Sequence, residues 1–188
     1  MNEEQLEPEK PAFVPEKSAS QPSVLTKLSL AEPIDLIALG FGSGLAPKAP
    51  GTFGTLAALP LVALMNVLTW PWYLMWTVIA FVLGVYICER AANKLGVHDH
   101  PAIVWDEFVG LMIAGIGLPL GLFWILLAFA AFRFFDILKP WPISFLDKRV
   151  NGGLGIMVDD VAAGLFALGV VQGTHFAVSL LDTSSSVF

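Results

Sequence analysis

The run Phe108–Phe132, FVGLMIAGIGLPLGLFWILLAFAAF, contains no charged residue and admits two readings. It is long enough for one membrane span, which takes about 20 apolar residues. It also contains GLPLG, Gly117–Gly121. The proline there cannot continue a helix, so the run can instead fold back as a hairpin of two shorter helices. The surrounding cations decide between the two. Past residue 32 they are Lys48, Arg90, Lys94, Arg133, Lys139, Lys148 and Arg149. A single span would put the first three and the last four on opposite faces, whereas a hairpin leaves all seven on one face. Cytoplasmic loops carry the excess of Lys and Arg, so a hairpin is expected. Its arms would be roughly 15–18 residues, about 22–27 Å at 1.5 Å per residue. Arms that short imply tilt, local thinning of the bilayer or shelter by neighbours.

The rest of the chain fits the same setting. It has 188 residues, 56% of them apolar and 14% charged, with a mean hydropathy of +0.73. Soluble domains carry about 25% charged residues. The uncharged stretch Ala49–Cys88 holds two expected helices, near Thr52–Leu68 and Trp72–Cys88. They part at TWPWY, Thr69–Tyr73, where Pro71 breaks the helix and the tryptophans favour the membrane interface. A last helix is expected from about Asp159 to Leu181. The sum is an all-α fold, a polytopic membrane helical bundle of about five hydrophobic helices. A short interfacial helix near Pro33–Phe41 precedes it.

Residues 1–32, with six Glu against three Lys, read as a disordered acidic tail containing Pro and Ser, and residues 33–188 as the membrane-embedded domain. No apolar segment of signal-peptide type follows the early charges. A net charge of −6 argues against nucleic acid as a partner. The single cysteine, Cys88, can form no internal disulfide and reads as a packed apolar thiol.

Four polar clusters interrupt the apolar runs: FGSGLAPKAPGTFGT (Phe41–Thr55), HDHPAIVWDE (His98–Glu107), RFFDILKP (Arg133–Pro140) and KPWPISFLDKRVNGGLGIMVDD (Lys139–Asp160). With the hairpin they share one face of the bundle. Asp106 with Glu107, and Asp159 with Asp160, each stand where an apolar helix is expected to begin. One acid suffices to cap a helix and meet its dipole. Two at each of two starts point to a divalent cation, which takes carboxylate, water and phosphate oxygens. Arg133, Asp136 and Lys139 fall on one helix face, either as a local salt-bridge ladder or as phosphate ligands flanking a metal-facing acid. His98 and His100 make a weak zinc pattern without a third ligand and read as loop structure. Lys48, Thr52 and Thr55, in the loop around Gly42, Gly44, Gly51 and Gly54, suit an anion where PGT opens a helix, although such glycines also serve turns and close packing. No Walker loop or nucleophile elbow is present. A transporter would place its ionisable groups near the midplane. Acids for a hard metal with cations for phosphate fit phosphoryl chemistry on a lipid head group.

In order, GFGSGLAPKAPGTFGT, GVHDHPAIVWDEFVG and FRFFDILKPWPISFLDKRVNGGLGIMVDDVAAG resemble the phosphatidylglycerophosphatase A family, over roughly residues 33–172. The resemblance implies a Mg²⁺-dependent lipid phosphatase of the bacterial inner membrane, multi-pass, with its active site facing the cytoplasm. The expected reaction converts phosphatidylglycerophosphate to phosphatidylglycerol on the route to cardiolipin. Carried over by motif, the catalytic acids are Asp106, Glu107, Asp136, Asp159 and Asp160. Asp106, Glu107, Asp159 and Asp160 are expected at the metal, and Lys48, Thr52, Arg133, Lys139 and Arg149 at the phosphate. Whether water or a carboxylate attacks stays open. The rival reading is a non-catalytic lipid-binding or scaffold protein whose acids only cap helices.

Overall fold

The computed structural model describes residues 24, 26–97 and 99–185. Among these all regular structure is helical, and no strand occurs. The order is α1 (Pro33–Ala38), a 3₁₀ turn (Gly40–Leu45), α2 (Pro50–Met65), α3 (Trp70–Leu95), α4 (Trp105–Ala114), α5 (Leu122–Leu138), α6 (Ile143–Arg149) and α7 (Gly152–Ser185). Pro33, Pro50 and Pro71 each sit in the first turn of their helix, where the missing N–H has no partner to lose. At the break in TWPWY, Pro71 therefore starts α3 rather than ending α2.

The deciding run folds as a hairpin. α4 stops at Ala114, the chain turns through Gly117 at φ 68° and Gly121 at φ 135°, and α5 returns. The arms are uneven, with 10 residues in α4 and 17 in α5. α4 is thus about 15 Å long, half the hydrocarbon thickness of about 30 Å and shorter than expected. Irregular backbone begins at Gly115, ahead of the proline, so the first arm is cut early. Gln172 of α7 serves that irregular backbone, donating from Nε2 to the Ile116 carbonyl at 2.7 Å. Backbone that leaves the helix at depth needs such a partner.

α4 is the centre of the bundle. Every residue from Glu107 to Ala114 is buried, and the helix packs against α2, α3, α5 and α7. At its crossing with α7 two glycines face each other. A Cβ on Gly164 would press on the Gly110 carbonyl, and one on Gly110 would strike the Phe132 ring. Small residues at crossings let helices associate by close packing where lipid supplies no hydrophobic drive. Tyr73 adds a tie from α3, its hydroxyl donating to the Met112 carbonyl at 2.9 Å.

Two helices are longer than their apolar runs. α3 continues past Cys88 to Leu95 and closes at Gly96, φ 74°. α7 begins at Gly152 rather than near Asp159, about two turns earlier. The glycines of NGGLG are contact surface rather than loop: Gly153 lies against the Val85 carbonyl and donates its N–H to the Glu89 carboxylate of α3. That bond satisfies an opening N–H of α7. Cys88 is buried, its Sγ 3.7 Å from Met157 Sδ, as a packed thiol should be.

Among the described residues, α3 and α7 are each long and apolar enough to cross a membrane. α2, α4 and α5 are apolar but shorter. Large apolar side chains line the outside, among them Val78 and Val82 on α3, Phe123 on α5, and Leu165 and Phe176 on α7. Soluble monomers rarely expose contiguous apolar surface on that scale.

Most of the expected N-terminal tail, residues 1–23 and 25, lies outside the described residues. Its last part is packed. Val24 and Leu28 are buried, Lys27 Nζ donates to the Leu95 carbonyl at 2.5 Å, and Lys94 bridges Glu32 at 2.7 Å and Asp35 at 2.9 Å. The folded chain therefore starts ahead of Pro33.

Candidate active site

The first turns of α2 and α4, the last turn of α5 and the third turn of α7 meet at one end of the bundle. The hairpin makes this possible, because it returns Arg133 to the level of Glu107. A cleft of about 230 Å³ opens there. Its walls carry six carboxylates, Asp99, Asp106, Glu107, Asp136, Asp159 and Asp160, against two cations, Arg133 and Lys139.

The acids fall into two groups. Asp136, Asp159 and Asp160 each offer an oxygen within 4.8 Å of the other two. Asp159 and Asp160 are buried and stand about two turns inside α7, so capping cannot account for them. Glu107, on α4, lines the same cleft but is held by other partners. Its carboxylate forms an ion pair with Arg133 and lies 2.8 Å from Thr55 Oγ1 on α2. Thr55 Oγ1 is also 2.9 Å from the Gly51 carbonyl, and its one proton serves either acceptor. Gly51 has to be glycine for this arrangement, because a Cβ there would overlap the Glu107 carboxylate. Asp106 is fixed by its neighbour: its Oδ1 accepts the Glu107 N–H at 3.0 Å.

The cations bind the acids together. Arg133 also bridges Asp136 at 2.7 Å. Lys139 turns away from that ladder, because α5 ends there with Lys139 at φ 40°. Its ammonium reaches Asp159 of α7 at 2.6 Å. The local ladder is thus half formed, and the other half is a tie between helices.

Asp160 and Arg133, which both line the cleft, each carry a buried polar atom without a hydrogen-bond partner, Oδ2 and Nε. One is an anionic acceptor and the other a cationic donor. Buried polar atoms left unsatisfied are rare and call for an explanation. Hard oxygen donors clustered around the first are the ligand set that Mg²⁺ takes, so the residues present fit that ion.

The other sequence candidates lie apart from the cleft wall. Lys48 is exposed on the loop before α2, and Thr52 is half-buried on its first turn. Arg149 is exposed, with its guanidinium 4.4 Å over the Phe145 ring. His98 lies outside the described residues. His100 is buried, its Nδ1 accepts the Ala102 N–H at 3.1 Å, and burial lowers its pKa, all in keeping with a role in loop structure. Asp99 and Thr55 join the site as well, although the sequence names them only within their segments and gives neither a role of its own. Thr55 shares the PGTFGT segment with Gly51, one helical turn on, and that i, i+4 spacing was the available signal.

The helical bundle carries a cleft of hard oxygen donors and cations at one end, a set suited to phosphate-ester hydrolysis. Residues 36–175 match the family described as Phosphatidylglycerophosphatase A, and the chain belongs to that family. It is 43% identical over 160 residues to the Phosphatidylglycerophosphatase A of Escherichia coli K12, covering 84% of this chain and 93% of that one. It is 52% identical over 154 residues to that of Haemophilus influenzae, covering 81% and 94%. No solved structure matches the chain.

Proposed function

We propose that this protein hydrolyses the terminal phosphate monoester of phosphatidylglycerophosphate to phosphatidylglycerol. In this reading it depends on Mg²⁺, feeds the route to cardiolipin and works from the bacterial inner membrane. The observation that carries the proposal is the unmatched pair on two residues that line the cleft, the acceptor Asp160 Oδ2 and the donor Arg133 Nε. A cation with a phosphate attached complements both at once.

In this reading Asp136, Asp159 and Asp160 would hold Mg²⁺, with Asp106 on the same cleft wall. The ion supplies Lewis-acid polarisation of the phosphoryl oxygens and offsets the surplus of acids. The chain's own groups do the rest. Arg133, through Nε, and Lys139 hold the non-bridging oxygens and stabilise the charge that grows on them. Glu107 and Thr55 keep the Arg133 guanidinium oriented. Asp106, anchored through Oδ1, takes a proton from an attacking water, or a carboxylate attacks first. Trapping an acyl-phosphate with hydroxylamine distinguishes the two routes. Lys48, Thr52 and Arg149 belong to the approach of the head group rather than to the reacting phosphate.

Chelation gives the direct test. Purified protein in detergent should lose phosphate release to background in EDTA and regain it with Mg²⁺. Mg²⁺ should also raise the unfolding temperature, since saturation at 100 times Kd adds about 2.7 kcal/mol. Full activity in EDTA would refute the metal assignment.

All five apolar helices, α2 to α5 and α7, lie within the bilayer in this proposal, with the half-length α4 sheltered by the others. The cleft faces the cytoplasm, as the shared face of the cations supports. A reporter fused at Leu118, on the hairpin turn, should then read as periplasmic. A cytoplasmic signal at Leu118 would reverse the orientation.

A further inference from the structure

A second cavity lies outside the acid cleft, between α2 and α3, with α4 as its floor. Its volume is about 480 Å³ and its surface is almost wholly apolar. Met65, Ile87 and Met112 are buried at its base, while Leu64, Trp76 and Leu83 stand exposed along its edges. It is therefore open to the surroundings of the bundle rather than sealed. From Ile87 to Trp76 it follows α3 for about 16 Å, at 1.5 Å per residue. Val67 and Leu68 also line it, so its far end reaches the α2–α3 turn.

Its position relative to the cleft matters as much as its length. α3 and α4 both have their cleft-side ends near the acids, and the groove starts at that level. Trp105 belongs to the groove wall, and the next residue, Asp106, belongs to the acid cleft. The Trp105 ring is held firmly. It stacks on Phe108 at 5.3 Å, meets Phe41 edge-on at 6.5 Å, and donates from Nε1 to the Ala80 carbonyl at 3.2 Å. The groove thus begins beside the reacting phosphate and runs toward the α2–α3 turn at the opposite end.

We infer that this groove is a binding site for one acyl chain of the lipid whose head group occupies the cleft. The inference rests on the phosphatase reading above and adds a site to it. Two features select an acyl chain over a partner helix: walls with almost no polar surface, and a start next to the acid cleft, where Trp105 lines the groove and Asp106 the cleft. A chain held there fixes the phosphate by its far end, and remote binding of this kind is what positions a reacting group.

The test measures kcat/KM for long-chain and dihexanoyl phosphatidylglycerophosphate in mixed micelles. The groove is filled by Leu83→Trp and widened by Leu83→Ala. Leu181→Trp, on the exposed far end of α7, serves as the control. Filling should lower the long-chain to short-chain ratio about tenfold, the effect of withdrawing roughly two buried methylenes. Leu181→Trp should leave the ratio unchanged. If the ratio stays at the wild-type value in both Leu83 variants, the groove assignment is overturned. Dissociation of a dimer on filling, without a change in ratio, overturns it in favour of a second copy. A wild type inactive on both substrates refutes the phosphatase reading instead. Should Leu83→Trp fail to fold, a substrate with a photoreactive acyl terminus decides on the unmodified protein. Labelling concentrated at Leu68 and Trp76 supports the groove, and labelling spread evenly over the apolar exterior refutes it.

Discussion

Asp160→Asn is expected to remove phosphate release while leaving a protein that is folded and, without metal, more stable than the wild type. Asn matches Asp in shape, so packing of α7 against α4 is untouched. What changes is charge. Asp160 is 3% exposed, its Oδ2 has no hydrogen-bond partner, and Asp136 and Asp159 offer oxygens within 4.8 Å. Like charges gathered in a low dielectric repel, and the unmatched acceptor adds a desolvation cost. Asn keeps a buried polar group there but removes the charge, and with it the repulsion and most of the desolvation cost, so the metal-free unfolding temperature should rise. Catalysis should fall by about 10³-fold or more, since loss of a single preorganised electrostatic contact already costs about 10²–10³. The rise in unfolding temperature produced by Mg²⁺ should disappear with it. A purely structural aspartate predicts the opposite pattern, lower stability with activity retained. Near-normal turnover in Asp160→Asn would end the metal assignment.

Such an opposition between stability and activity would mark a functional site, because folding alone would not gather six acids around two cations. It also explains which parts of the site could be read in advance. The acid pairs were visible because WDE and DD break apolar runs in which one capping residue would suffice. The return of α5 was visible because GLPLG interrupts the run and the cations then share a face. Hidden were the partnerships between distant segments. Lys139 stands at regular helical spacing from Asp136, yet the helix ends at Lys139 and the ammonium reaches Asp159 instead. NGGLG reads as a loop, but Gly153 is the contact that lets α7 start early against Val85 and Glu89. The extra two turns carry Asp159 and Asp160 from a helix end to its interior, beside Asp136. Local spacing does not encode such contacts, because they depend on how close two backbones come.

The second large effect concerns the Glu107–Arg133 pair. Arg133→Met should destabilise the protein by about 3–5 kcal/mol, the usual result of leaving a buried charge without its partner. Glu107 and Asp136 would then face each other across the first turn of α2 with only Thr55 close to Glu107. Adding Glu107→Gln to Arg133→Met should recover most of that loss. A glutamine carboxamide carries no charge and still accepts from Thr55, and a pair replaced by neutral groups of similar volume is often close to neutral in stability. Activity should stay lost in both variants, because Arg133 Nε no longer reaches the phosphate. Unfolding in detergent, followed for wild type, both single variants and the double variant, gives the coupling energy directly. A coupling near zero would mean the pair contributes nothing to the fold. Recovery of turnover in the double variant would show that Arg133 acts only by neutralising Glu107. Stability restored with turnover still absent would separate the tether that Arg133 makes between α5 and α4 from the phosphate contact proposed for it.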